Sequence, residues 1–522
     1  MTKPALEYDV AIIGLGPVGC TAAILLAEAG LKVAAIERDE EVYRLPRAVN
    51  LDGEIIRAFQ KVGRGQVVQD LMQPVRPGDR AGFANSEREW LFGQPFVEFG
   101  SNGWQPMNMF DQPELESYLR AEAVGHERVQ ACIGFEVAAI ENAGDGVRLE
   151  YGRVGSGTPQ TLTARYALAC DGASSPTRRA FGIGWKDLGY DHHWLVVDVT
   201  LKDGHTLGND TLQVCDPDRL VTYVCTKDPY RRWEFRMHDD ETAEDMLKEE
   251  KIFSLIDPWT PRGTYEIRRA AVYQFHAATA DRWQVGRVFI AGDAAHQTPP
   301  FLGQGMNAGM RDVVNLSWKL PLVIHGAAAE GLLETYFVER NGHAHDLVDW
   351  AVSIGRLMEH LAEQERCARA GEPVPEAPAT LRSSGYGQGR EQPPIRDGVV
   401  IAGQVSDSGA TGYLFNQPIV RTPTGSECRL DELLGSGFAL VSRAALPELS
   451  DRSRKILDRI GAAVVSLAGL TVVRGRLDRL FENHEVAIVR PDRLVFGHTA
   501  PDMPVDRLVE ALADKLMINL DN

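Results

Sequence analysis

Residues 8–37 constrain the fold more than any other stretch. Tyr8-Asp9-Val10-Ala11-Ile12-Ile13 is a compact apolar run, and Gly14-Leu15-Gly16-Pro17-Val18-Gly19 follows it at once. Residues 20–29 then carry a helical pattern closed by Gly30, and residues 32–36 form a second apolar run ending in Glu37 and Arg38. The order is strand, GxGxxG, helix, strand, acid. Each glycine has a physical reason. Gly14 permits a tight turn, Gly16 lets the backbone approach a pyrophosphate, and Gly19 lets helix and strand pack closely. Pro17 and Val18 stand at the helix start, where partial positive charge favours an anion. Glu37 lies 23 residues after Gly14, near the spacing of an acid that meets a ribose 2′-hydroxyl; the bland alternative is a solvated strand-end carboxylate. An acid here suits an adenosine ribose without a 2′-phosphate, so FAD or NAD. No second fingerprint of this kind occurs in the chain.

Two further strand-to-turn passages follow the same logic. Residues 166–170 run into Asp171-Gly172-Ala173-Ser174-Ser175-Pro176-Thr177-Arg178. Asp171 can anchor that loop, and Arg178 offers a fork of donors suited to phosphate. Later, residues 288–291 run into Gly292-Asp293, then a loop rich in Pro and Gly that ends at Gly303-Gln304-Gly305, with a helix from about Met306. Backbone amides at a helix start stabilise anionic or electron-rich groups. Asp293 instead accepts hydrogen bonds from hydroxyls. The pair suits a ligand with a polyol on one side and an electron-rich heterocycle on the other.

The three passages, in this order, resemble the flavoprotein aromatic hydroxylases. The resemblance selects FAD over NAD as the bound cofactor. It implies that Asp293 serves the ribityl chain and that the amides after Gly303-Gln304-Gly305 serve the pyrimidine ring. The residues carried over there are Gly292, Asp293, Pro299, Pro300, Gly303, Gly305, Met306 and Asn307. Pro299 and Pro300 belong to a loop expected beside the reacting flavin edge. Arg47, in Leu45-Pro46-Arg47-Ala48, resembles the family's arginine that reaches back to the cofactor. Gln112, at a helix start capped by Asp111 with Pro113 in the first turn, resembles a glutamine on the flavin side. Asp171, Gly172 and Arg178 resemble a motif that combines pyrophosphate contact with a part in NAD(P)H binding. The implied chemistry is reduction of FAD by NADH or NADPH, addition of O2 at the flavin C4a to give a hydroperoxide, and transfer of its terminal oxygen to the ring of a phenol. Residues 46–48, 171–179, 196–198, 215–217, 231–237 and 303–320 look most like 3-(3-hydroxyphenyl)propionate hydroxylases. Hydroxylases of multi-ring polyketides share much of this, and an FAD-dependent reductase without oxygen insertion is a further alternative.

The expected fold class is α/β. A Rossmann-like FAD-binding domain takes residues 1–190 and 281–365. An antiparallel sheet over 191–280 roofs the flavin and carries the aromatic pocket. A linker rich in Gly, Pro, Ser and Arg covers 366–395, and residues 396–522 form a thioredoxin-like unit. That unit has no CxxC, so disulfide exchange is not expected of it. Strand alternation puts Tyr223 and Cys225 on one face, and Trp233 and Phe235 on one face of the next strand. These four are the candidate substrate contacts, although the pattern does not say which face meets the substrate. His205, His238 and His276 are weaker candidates. Residues 239–251 read as a solvated helix.

Composition sets the partners. The formal charge of −18 argues against nucleic acid or an anionic membrane surface as a default partner. The seven cysteines are scattered without metal-ligand spacing, so no metal is expected and a reduced cytoplasmic protein is the simplest reading. No uncharged apolar run reaches the length of a membrane span. The expected partner is a small aromatic substrate; a homodimer is left open.

Overall fold

The computed structural model describes residues 6–155, 158–376, 378, 392–407, 409–445 and 448–518. The first sheet is built around the opening run. Tyr8–Ile13 lies between Gln160–Ala169 and Val33–Glu37, parallel to both, and Val129–Ile133 and Val288–Ile290 extend the parallel set on either side. All five residues of Val33–Glu37 are buried, as a strand covered on both faces requires. The helices Pro17–Glu28 and Gly305–Ile324 cover the sheet with Ile24, Met310, Val313 and Leu316 in a common core. The hairpin Phe135–Ala143 and Gly146–Arg153 turns at Gly144-Asp145 and pairs onto Gln160–Ala169.

The second sheet is the roof. Its long strands, Trp185–Leu201 and Tyr265–Ala280, pair antiparallel, and Tyr230–Arg236, Val221–Cys225 and Thr211–Val214 follow outward. Arg80–Ala84 and Trp90–Pro95 complete the edge. Those two strands lie far upstream in sequence, inside the span read as part of the nucleotide-binding unit. Short-range pattern cannot report such a pairing.

One face of this sheet is a closed apolar layer. Leu195, Val197, Tyr223, Trp233 and Phe235 pack there with Met246, Ile252 and Ile256. The latter three come from two short helices, Ala243–Met246 and Glu249–Ile256, where the sequence reading expected one solvated helix. Burying side chains of this size contributes about 1.5–3 kcal/mol each, which fixes the strand register: a one-residue slip would turn the whole layer to the other side. The opposite face looks into the molecule.

Thr335–Ala370 is one helix of 36 residues, ended by Gly371 with φ of 69°. Val348, Val352 and Met358 from this helix pack with Tyr190, Trp194 and Phe301. Residues 366–370 continue the helix, and much of the expected linker lies outside the described residues. Ala439–Ser442, Asp451–Arg459 and Ala463–Ser466 then make a strand–helix–strand unit with parallel strands. Val486–Val489 and Val495–His498 add antiparallel to it, and Val505–Lys515 closes the face. This is the thioredoxin-like arrangement expected.

Candidate functional site

One cavity of about 1270 Å³ runs from the glycine-rich loop to the inner face of the second sheet. Gly14 adopts φ of 93°, and a side chain there would meet the Cys170 carbonyl oxygen at 2.6 Å. A methyl on Gly19 would sit 1.9 Å from the Gly14 oxygen, whereas one on Gly16 would have nothing within 4 Å. Gly14 and Gly19 are therefore packing positions, and Gly16 faces open cavity. Glu37 is not a solvated carboxylate. It is buried, accepting from Leu15 N at 2.5 Å and from Asp39 N at 2.8 Å. It holds the loop and still lines the cavity.

Two helix starts open onto this cavity. Gly16 precedes Pro17–Glu28 and has no side chain to cap it. Gln304 precedes Gly305–Ile324, but its side chain turns to Asp52 Oδ1 at 3.2 Å and to Arg311 at 2.9 Å. First-turn amides of both helices are left for a ligand. Pro17, Val18, Arg38, Arg47, Gly172, Gly292, Asp293, Pro300, Gly303, Gly305 and Met306 all line the cavity. Asp293 opens onto it, and the surrounding protein pushes its carboxyl above the usual range, against the pull of His296 and Arg47. Asp171 accepts from Thr177 N at 3.0 Å through Oδ2. Its buried Oδ1 has no partner among the described residues.

Other residues act one step back. Gln112 lines the cavity, yet its Oε1 accepts from Arg47 N and Ala48 N at 2.8 and 2.7 Å, so it sets the loop that carries Arg47. Asn307 lies behind the cavity wall. It accepts from Asp52 N at 2.9 Å and donates to the Asn50 and Gly303 carbonyls, tying helix to loop. Arg178 does not offer its fork to the cavity. It donates to the carbonyls of Ala173 and Ala294 at 3.1 and 3.3 Å and stacks on Trp185. It thereby clips the loop after Asp171 to the loop after Asp293. Pro299 is buried and does not line the cavity.

The substrate contacts need correction. Tyr223, Cys225, Trp233 and Phe235 share a face, as alternation requires, but it is the face turned away from the cavity. Tyr223, Trp233 and Phe235 lie in the apolar layer, and the Cys225 thiol meets Arg76 at 3.0 Å. The cavity face carries their neighbours Thr222, Val224, Arg232 and Glu234, with Gln213, Val196 and Arg269. Sequence reasoning missed this set. The available signal was the run Arg231–Met237, where charged residues alternate with aromatic ones; in a strand buried on both sides, the charged face is the one that needs a polar partner. His276 lines the cavity, whereas His205 and His238 do not.

Arg232 organises that face. It donates to Asp198 at 2.7 Å and to the carbonyls of Arg47 and Pro46 at 2.6 and 2.8 Å. Arg269 also donates to the Pro46 carbonyl. The roof therefore grips the Arg47 loop from above while Gln112 grips it from below.

These donors and acceptors fit FAD. The uncapped helix start at Gly16 suits a diphosphate, Glu37 and Asp293 suit hydroxyl groups, and the start at Gly305 suits an electron-rich ring edge. Among the described residues no group of three or more His, Cys, Asp or Glu side chains is placed to hold a metal ion.

Comparison with known proteins agrees with this geometry. Residues 7–351 match the FAD binding domain family and residues 412–515 the HcaD C-terminal domain family. A 3-(3-hydroxy-phenyl)propionate/3-hydroxycinnamic acid hydroxylase of Mycobacterium sp. (strain JLS) is 32% identical over 527 residues, covering 94% of this chain and 89% of that protein. The enzyme of the same name from Burkholderia cenocepacia (strain HI2424) is 32% identical over 531 residues, covering 94% of each. Among solved structures, aklavinone-11 hydroxylase in complex with FAD and aklavinone superposes with a TM-score of 0.80 at 24% identity, over 98% of this chain and 100% of that one. The flavin-dependent monooxygenase PieE gives 0.78 at 21% identity, with the same coverage. The chain belongs to the FAD binding domain family, as a flavin-dependent aromatic hydroxylase with a thioredoxin-like C-terminal unit.

Proposed function

We propose that this enzyme hydroxylates a single-ring phenol of the 3-(3-hydroxyphenyl)propionate or 3-hydroxycinnamate kind, with FAD as cofactor and NADH or NADPH and O2 as co-substrates. The observation that carries the reading is that the dinucleotide cradle and the polar inner face of the sheet share one cavity. The chemistry that FAD supplies when bound is hydride acceptance from NAD(P)H and delivery of one oxygen atom of O2 to the ring. The chain's residues bind, orient and exclude water. Gly16 and the amides behind it take the diphosphate, Glu37 and Asp293 take hydroxyls, and the amides at Gly305 and Met306 take the ring edge. Arg47, Asp171 and Gly172 close the sides. The loop at Pro300 and Phe301 lies between that cradle and the sheet face, so a phenol held under Thr222 and Glu234 is shielded from bulk water.

Assigning residues 1–190 and 281–365 to FAD, 191–280 to substrate and 396–522 to a separate unit belongs to the same reading, with the strands at 80–95 added to the substrate sheet. So do a cytoplasmic location and a homodimer, the latter testable by light scattering. No helix among the described residues is long and apolar enough to cross a membrane.

A multi-ring phenol is the second reading. The size of the cavity favours it, since about 1270 Å³ exceeds the roughly 300–1,000 Å³ of common small-ligand sites, although the cofactor takes a share. The test is NADH and NADPH consumption by the yellow protein in air across phenols from hydroxyphenylpropionates to multi-ring compounds, with product masses. A phenol that both speeds consumption and gains one oxygen atom supports the reading and names the class. Consumption that no phenol stimulates, in a flavin-loaded protein, would overturn it in favour of a reductase.

A further inference from the structure

The inner sheet face carries a row of side chains set by strand register. Gln213 pairs with Thr222, Thr222 with Glu234, and Glu234 with Val196. The row starts at the flavin-side loop, because Gln213 Nε2 donates to the Phe301 carbonyl at 3.4 Å. Thr222 Oγ1 donates to Gln213 Oε1 at 2.7 Å. Glu234 comes next, about 10 Å from Gln213 at the usual strand spacing. It lines the cavity and is 4% exposed.

Its carboxylate is unlike the others near the site. Glu37 and Asp198 are each taken by donors from the protein. Glu234 Oε2 is buried without a hydrogen-bond partner among the described residues. Arg232 approaches its other oxygen at only 3.8 Å, since that guanidinium is committed to Asp198 and the Arg47 loop. A buried carboxylate oxygen left open is costly, and a ligand hydroxyl is the group that would satisfy it.

We propose that Glu234 is the acceptor for the substrate's phenolic hydroxyl and takes its proton. The O–H bond breaks with its electron pair left on the phenolic oxygen, and the proton bonds to Oε2. Removal of that proton raises electron density at the ring positions ortho and para to the oxygen, where an electrophilic oxygen attacks. Loss of hydration drives the Glu234 carboxyl up to about 7, with Arg232 and Arg269 opposing and Asp198 adding to the rise. Tyr190, from the same long strand as Asp198, also feels its charge. A base with that ionisation is effective near neutral pH.

This assignment rests on the phenol-hydroxylase reading. The test compares holoenzyme and Glu234→Gln, with flavin content read separately. The parent's kcat/KM for the best phenol should rise with pH through about 7. Glu234→Gln should lose about 10²- to 10⁴-fold and flatten that limb, and Glu234→Asp should restore the limb in part. A flavin-loaded Glu234→Gln that keeps both rate and limb would overturn the assignment while leaving the hydroxylase reading standing. If no phenol stimulates the parent, the hydroxylase reading itself falls. Should Glu234→Gln fail to load flavin, the parent decides through the absorbance of bound phenol. A phenolate band well below the phenol's own ionisation supports the proposal, and a band only above it refutes the proposal.

Discussion

At the scale of single residues, the carboxylates that line the cavity divide by whether the protein already satisfies them. Glu37 is occupied by two backbone amides, whereas Asp293 waits on a ligand. Asp293→Ala should therefore leave the fold intact and weaken FAD retention about 10- to 100-fold, the loss of a charge-assisted hydrogen bond. Flavin absorbance after dialysis measures it, and full retention would count against Asp293. Glu234 also predicts a stability effect. Its folded-state ionisation is raised from 4.5 to about 7, so the folded state binds the extra proton between those values. Stability then falls as pH rises through that window, by about 3 kcal/mol in all. Glu234→Gln should gain little over the parent at pH near 5 and most near pH 8, in denaturant midpoints of the substrate-free holoprotein.

Elements meet at positions where one atom decides the approach. Gly19 brings the first helix onto the glycine loop so closely that a methyl would lie 1.9 Å from the Gly14 oxygen, a backbone atom that cannot swing aside. Gly19→Ala should push the helix start away from the cavity. The expected outcome is protein of near-normal circular dichroism with little bound flavin, and a yellow, fully loaded Gly19→Ala would refute the packing argument. The sheet shows the converse. Pattern gave its strands and their alternation but not its sidedness, because Tyr223, Trp233 and Phe235 are as apt for a ligand pocket as for a core. Helices that arrive from residues 243–256 decide the matter by covering that face.

Across the whole molecule, the C-terminal unit is tied in by buried charge. Glu339 meets Arg490 at 2.8 Å, Lys319 at 2.9 Å and Val399 N at 2.8 Å. Burial opposes its ionisation, yet Arg490 and Lys319 hold its carboxyl down at about 2. Arg57 meets Asp431 in a second such contact at 2.7 Å. Glu339→Ala would strand the buried Lys319 ammonium and leave Arg490 with Asp492 as its remaining carboxylate, and should cost about 3–5 kcal/mol in urea unfolding. A change under about 1 kcal/mol would mean that the tie is not structural. The same unit supplies Tyr413, Asp492 and Leu494 to the cavity wall, so it stands nearer the site than a remote appendage.

The sequence by itself determined the parts whose physics is local. A strand, a tight glycine turn, an uncapped helix and an acid at the next strand's end were readable because their residues are neighbours in the chain, and the cavity forms where they point. So were the order of the three loops and the thioredoxin-like tail. Tertiary structure alone decided which face of the roof looks inward, that residues 80–95 join that roof, and that Arg178 turns to the Ala294 carbonyl instead of a ligand. It also left Glu234 Oε2 on the cavity face with no hydrogen-bond partner among the described residues. Each of these depends on partners distant in sequence, and a side chain's role follows from whichever partner reaches it first.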